Sequence, residues 1–216
     1  IYALITIAIF GMWYYARYEG NFLPSPKKTF NPMMIVAIVI LVPGTQFAAN
    51  FIANLTGYIR PDWLQQYNEL FETSGITDTT FVTVLYSVIL APICEELIFR
   101  GVTMRCARKT LPFALANLMQ AALFGLFHLN WIQGIYAFAL GIVLGYVCER
   151  GGSIYYSMGL HLLFNLWGTL SGFFPDPGNS VVVFVIVIAV TIISLVVGFV
   201  LFNKGRRKLP INSTGI

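Results

Sequence analysis

Apolar residues run almost unbroken through seven stretches of this chain, and polar ones collect in the short connections between them. The clearest stretch, Val181 to Phe202, carries no charge, and at 1.5 Å per residue it spans the roughly 30 Å hydrocarbon core of a bilayer. The others run Tyr2 to Tyr15, Met33 to Ala53, Thr80 to Met104, Pro112 to Leu129, Trp131 to Cys148 and Ile154 to Gly172. The pattern predicts an all-α, polytopic membrane helix bundle of about seven transmembrane helices, with residues 1–216 forming one domain. Interior Pro43, Gly44 and Pro92 would break a soluble helix; in a bundle their freed backbone groups find partners on neighbours, so they predict kinks. The chain opens on Ile1 inside an apolar segment and without Met, which leaves room for an eighth helix upstream. No basic leader precedes that segment, so no cleavable signal peptide is expected. No internal repeat is visible.

One stretch breaks the pattern. Between Pro61 and Thr73, Trp63, Leu64, Tyr67, Leu70 and Phe71 recur at helical spacing with acids between them. This predicts a short amphipathic helix at the outer interface, acting as an aromatic anchor, with substrate gating as the alternative role.

Composition agrees with the membrane reading: 57% of residues are hydrophobic and 10% charged, against roughly 25% charged in an ordinary soluble domain. The charges also give an orientation. Arg17, Lys27 and Lys28 share the first connection, Arg105, Arg108 and Lys109 the third, Arg150 the fifth, and Lys204, Arg206, Arg207 and Lys208 the tail. These are alternate connections, hence one side, and by the positive-inside rule that side is cytoplasmic. Opposite lie Asp62, Glu69, Glu72, Asp78 and Asp176 against Arg60 alone. The expected location is therefore a bacterial plasma membrane with the basic C-terminal tail in the cytoplasm. The net charge of +4 reads as topology first and as attraction to anionic lipid second; nucleic acid is not an expected partner. Cys94, Cys106 and Cys148 have no CxxC spacing and fall in or near the cytoplasmic half, which predicts no disulfide framework.

Candidate chemistry sits where polarity interrupts the apolar runs. Ionisable groups in hydrocarbon cost several kcal/mol each unless they line a polar cavity, and three helices here carry them: Glu95 and Glu96 on one, His128 and His161 on two others. Glu96 and Arg100 are four apart, so they share a face with the acid preceding the base. Glu95 points about 100° away with no partner in its own helix, the profile of a general base. His161 and Asn165 repeat the four-residue spacing and present a ring nitrogen and an amide to one cavity, suited to a developing oxyanion. His128, four after Phe124, could position or polarise the water that Glu95 deprotonates.

Glu95-Glu96-x-x-x-Arg100, Phe124-x-x-x-His128 and His161-x-x-x-Asn165, in that order on successive apolar helices, resemble the three-motif signature of the CAAX-protease and bacteriocin-processing family, also called the Abi family. The resemblance covers about residues 80–172. It implies an intramembrane endopeptidase of the type II CAAX prenyl endopeptidase kind, acting on a peptide or a lipidated membrane peptide from a cytoplasm-facing cavity. By it, Glu95 and His128 activate water, His161 and Asn165 hold the oxyanion, and Glu96 with Arg100 supports the site. Two His and a Glu with an open fourth position would also make a catalytic zinc set, namely Glu95, His128 and His161, and proteins of this kind are often described as metalloproteases. Against zinc stand the lack of an HExxH motif and the poor ligand quality of Asn165, so metal-free glutamate catalysis is the first reading. A proton- or metal-coupled transporter, or a non-catalytic immunity or scaffold protein, would carry similar groups, although a transporter usually shows paired halves.

The spacing raises one conflict. Along a continuous helix from Lys109, His128 lies about 28 Å away, whereas Glu95 and His161 are about 12 to 15 Å from their cytoplasmic ends. For them to meet, the helix must begin later, after Thr110 and Leu111, or tilt while 128–134 forms a broken or re-entrant turn with Asn130, Gln133 and Gly134 lining the cavity.

Overall fold

The computed structural model describes residues 2–16, 30–73, 80–171 and 180–206, and among these it contains helices and no strand. Arg17, Lys27, Lys28, Asp78, Gly172, Asp176, Arg207 and Lys208 lie outside the described residues. The helices are α1 (Tyr2–Tyr14), α2 (Pro32–Ile59), α3 (Pro61–Thr73), α4 (Phe81–Ala107), α5 (Phe113–Phe127), α6 (Trp131–Gly151), α7 (Ile154–Ser171) and α8 (Val181–Gly205). The predicted stretches thus became helices with bounds shifted by a few residues. Four of them, α2, α4, α6 and α8, are long and apolar enough to cross a membrane. Helices α1 and α5, of 13 and 15 residues, reach only about 20 and 22 Å. The protein is an integral membrane helix bundle.

Two apolar clusters hold the bundle. Leu41, Leu144, Leu160 and Phe202 join α2, α6, α7 and α8, while Tyr14, Leu97, Met104, Ala116 and Ile154 join α1, α4, α5 and α7. Lipid is as apolar as these side chains, so burial from water does not drive such contacts; close packing and hydrogen bonds between helices must. The α2–α8 pair shows both. Pro43 removes a backbone donor within α2, and one position on, the Gly44 amide donates to the Ser194 hydroxyl of α8 at 2.9 Å. Ser194 in turn donates to the Ile40 carbonyl. A side chain at Gly44 would lie 2.7 Å from the Ser194 hydroxyl, so only glycine admits this insertion.

Helices α5 and α6 form a tight antiparallel hairpin. A Cβ at Gly125 would stand 2.5 Å from the Gly134 carbonyl oxygen, so the two backbones touch near the turn. The turn itself is three residues, His128 to Asn130, and Leu129 adopts a left-handed conformation with φ of 54°, which costs an L-residue about 1–2 kcal/mol. Asn130 then caps α6 by accepting the Gln133 amide at 3.1 Å. The expected broken segment through Gly134 is therefore shorter than predicted. Gln133 and Gly134 already belong to the first turn of α6, because Asn130 is an effective helix start. The later start expected for α5 is observed: residues 108–112 are turn and coil, and the helix begins at Phe113.

Helix α3 forms over the predicted amphipathic stretch. It docks on the start of α6, with Trp63 stacked on Trp131 at 5.2 Å between ring centroids and Tyr67 hydrogen-bonded to Tyr136. Arg60, just before α3, binds Asp62 through two hydrogen bonds and lies over the Trp63 ring at 4.3 Å. All three cysteines are unpaired, with Cys94 and Cys148 buried and Cys106 exposed.

Candidate active site

Helix α4 is not uniform. It widens to π-helical turns over Leu85–Leu90 and again over Leu97–Met104, on either side of the α-helical Ala91–Glu96. Pro92 explains part of this. The Ala91 amide bonds to the Tyr86 carbonyl, five residues back, and Pro92 has no amide to offer, so neither supplies the Ser87 carbonyl. Asn165 of α7 takes that carbonyl instead, donating Nδ2–H at 2.8 Å. The proline that reads as a kink thus creates the acceptor that ties α7 to α4. One of the two Asn165 amide protons is engaged there, leaving the other free to act.

Four residues of α7 toward its start, His161 lies between the two glutamates. Its Nδ1 is 2.9 Å from Glu96 Oε1, and its Nε2 is 3.6 Å from Glu95 Oε2. The same Glu96 oxygen accepts from Arg100 Nη1 at 2.7 Å. Glu96 and Arg100 are both fully buried, whereas Glu95 keeps 17% of its side chain open. The division expected from the helical spacing is what the geometry has: one glutamate locked by an arginine, its neighbour unlocked and accessible.

Phe124 of α5 is the hub of the site. The Arg100 guanidinium lies 4.6 Å from its ring centre, and the His128 and His161 rings meet it edge-on at 5.0 and 5.7 Å. This resolves the conflict over depth. His128 sits at the end of α5, about 22 Å from Phe113, but its side chain turns back toward the helix start, with Nδ1 2.8 Å from the Phe124 carbonyl. The two histidines are therefore separated by one aromatic ring. No hydrogen bond or ion pair joins His128 to Glu95 among the described residues.

A zinc ion would need Glu95, His128 and His161 to converge on one point. Among the described residues no three His, Cys, Asp or Glu side chains converge as a metal-ligand group. His161 Nδ1 faces Glu96 and His128 Nδ1 faces a backbone carbonyl, which leaves Nε2 as the nitrogen each could offer a metal. What argues against zinc is that Glu95, His128 and His161 do not stand as one converged ligand set.

Two residues that the motifs omit extend the network. Gln120 of α5, fully buried, donates Nε2–H to the Gly141 carbonyl of α6 at 2.9 Å, and Arg100 Nη2 reaches the same carbonyl at 3.2 Å. Gln120 also donates to Asn117 Oδ1 at 2.7 Å, and Asn117 donates to the Ile142 carbonyl at 3.0 Å. A Cβ at Gly141 would come within 3.0 Å of Ala121, so glycine there lets α6 approach close enough to share its carbonyl. The signal existed in the sequence: Asn117, Gln120, Phe124 and His128 follow one face of an otherwise apolar helix.

Set against curated proteins and against solved structures, the chain finds no match in either. Residues 77–167 match a family model described as type II CAAX prenyl endopeptidase Rce1-like. That range runs from just before α4 into α7 and contains Glu95, Glu96, Arg100, Asn117, Gln120, His128, His161 and Asn165. The motif-bearing part of the chain, three helices meeting on Phe124, is thus the part that is similar to the Rce1-like CAAX proteases.

Proposed function

We propose that the chain is an intramembrane endopeptidase in which Glu95 activates the attacking water. The observation that carries this reading is one imidazole, His161, held between a locked glutamate and an open one. Glu96 is fully buried against Arg100 and cannot serve water, whereas Glu95 is partly open. A Glu95 oxygen takes a proton as the water oxygen adds to the scissile carbonyl carbon, and the carbonyl electron pair moves onto its oxygen. An imidazole that donates Nδ1–H to Glu96 has its Nε2 lone pair facing Glu95, so the proton passes to Nε2 once the 3.6 Å gap closes to hydrogen-bond length. From Nε2 it goes to the leaving amine nitrogen as the C–N bond breaks.

Between these events the protonated Nε2 and the second amide proton of Asn165 face the oxyanion. His128, with Nδ1 turned to Phe124, offers Nε2 to orient the water. Arg100 and Glu96 touch no reacting atom and act as positioning residues. The substrate is a peptide, and the family name makes a prenylated C-terminal CAAX peptide the first to try, with a bacteriocin leader or a membrane-protein segment next. The exposed cations Lys109, Arg150, Lys204 and Arg206 mark the cytoplasmic end of the bundle in this reading.

The test is cleavage of such peptides by purified protein in detergent, with Glu95→Gln beside wild type. Turnover is expected to fall roughly 10² to 10⁴-fold with folding unchanged. Near wild-type turnover in Glu95→Gln would remove Glu95 as the base, and no cleavage of any of the three substrate classes would favour a non-catalytic immunity or scaffold role.

A further inference from the structure

Away from the glutamates, a groove of about 480 Å³ opens between α5, α6 and α8, lined among others by Phe113, Ala114, Leu118, Val143, Tyr146 and Phe199. Its volume falls in the range of roughly 300–1,000 Å³ typical of small-molecule sites, and like them it is apolar with few polar groups. In a membrane protein an apolar groove by itself is ordinary, because lipid wets every outer face. What distinguishes this one is its rim. Arg150 lies over the Tyr146 ring at 5.7 Å, and the Tyr146 hydroxyl is 2.9 Å from Asn203 Oδ1, which brings the last turn of α8 with Lys204 beside it. Lys109 stands on the connection that leads into Phe113, and Arg108 beside it pairs with Glu149 at 3.1 Å. Glu149 is therefore engaged by Arg108, and the exposed cations Arg150, Lys204 and Lys109 stand at the same end of the groove.

We infer that the groove binds an anionic phospholipid from the bilayer, one acyl chain lying along Phe113, Leu118, Val143 and Phe199 and the headgroup phosphate on Arg150 and Lys204. Apolar wall and cationic rim meet at the depth where a lipid changes from chain to headgroup, and basic pockets between transmembrane helices on the cytoplasmic side are suited to acidic headgroups. The groove also touches the network behind the site. Asn117 lies in its wall and accepts from Gln120, which shares the Gly141 carbonyl with Arg100, so a bound chain rests two side chains away from the residue that holds Glu96.

The experiment is binding, and it does not depend on peptidase activity. Full-length chain in detergent is titrated with phosphatidylglycerol or phosphatidylcholine of equal chain length, and retained lipid is counted by native mass spectrometry. Phosphatidylglycerol should be retained about tenfold or more tightly, and Arg150→Gln with Lys204→Gln should abolish that preference, since each cation near the surface is worth about a fivefold factor. Ala114→Trp, which fills the groove without touching the rim, should lower retention of both lipids. Equal retention of the two lipids by wild type, or an unchanged preference in the charge variant, overturns the proposal. A phosphatidylglycerol with a photoreactive acyl chain is used on wild type in parallel, so the result stands even where a variant fails to fold. Adducts on 113–118 and 142–146 support the site; adducts elsewhere, or crosslinks to a second copy through this face, overturn it.

Discussion

Two helices of this bundle are interrupted by proline, and the repairs differ in a way that separates scaffold from site. In α2, beside Pro43, the Ser194 hydroxyl is inserted between the Gly44 amide and the Ile40 carbonyl, and both backbone groups end satisfied in apolar surroundings. In α4, the carbonyl exposed by Pro92 is Ser87, and its partner is Asn165, one turn from His161 and its two glutamates. Both use a polar side chain from another helix beside a proline: in α2 the hydroxyl bridges an amide and a carbonyl next to Pro43, and in α4 the amide takes a carbonyl left without a donor. The first repair uses a hydroxyl that donates and accepts, and nothing remains to react. The second uses an amide with two protons, one of which stays free beside ionisable groups. A broken helix in a membrane is thus a site only where its repair leaves a donor over.

The comparison is broken most severely at the acid pair. Glu96→Gln leaves Arg100 buried without a counter-charge, a change worth about 3–5 kcal/mol. The expected outcome is loss of folded protein in detergent, read by thermal unfolding, whereas Glu95→Gln should unfold as wild type does. A Glu96→Gln protein as stable as wild type yet inactive would reverse the roles of the two glutamates.

Next in size is the pair of repairs themselves. Asn165→Ala and Ser194→Ala should each cost about 1 kcal/mol of stability, the scale of an interhelical hydrogen bond. Only Asn165→Ala should lower turnover, by roughly 10² to 10³-fold with little change in KM. Equal kinetic effects from both would mean that Asn165 is a brace like Ser194, and that the oxyanion is held elsewhere.

The metal question sharpens the same division. With Glu95, His128 and His161 not converged as one ligand set among the described residues, protein purified without added metal and fully active should carry zinc far below one equivalent by elemental analysis, and 1,10-phenanthroline should not abolish turnover. Stoichiometric zinc that disappears in both His128→Ala and His161→Ala would show that the ligands rearrange in the active protein.

Much of this was legible because a membrane makes polarity expensive. Seven apolar runs matched the helices to within a few residues, and Arg100, His128 and His161, each from a different run, meet on the Phe124 ring. The pairing of Glu96 with Arg100 and the exclusion of Glu95 from it follow from a spacing of four and an offset of 100°. What the spacing missed depends on backbone partners. Nothing in a periodicity shows that Pro92 orphans Ser87, or that Gly141 lets Arg100 and Gln120 share its carbonyl, because both facts need the neighbouring helix. The depth of His128 was misjudged for a related reason: counting rise along an axis gives the backbone, whereas the side chain turns back by one turn to Phe124.

The smallest expected effect separates the anchor from the gate in α3. Asp62 accepts two hydrogen bonds from Arg60, and that contact holds its carboxyl below the usual carboxylate range. A lowered folded pKa means that the contact stabilises α3 above the unfolded value near 4 and is lost as pH falls through the folded one. Both groups are exposed, so global stability should not change measurably. The readout is local: hydrogen-exchange protection of α3 amides, corrected for intrinsic rates, should drop only below about pH 4 in wild type and stay flat in Asp62→Asn. If α3 is an anchor, held by the Trp63–Trp131 stack and the Tyr67–Tyr136 bond, turnover in Asp62→Asn equals wild type. A change in KM with unchanged kcat in that variant would instead make α3 a gate, since loosening its start would then alter how substrate enters and not how the bond is cut.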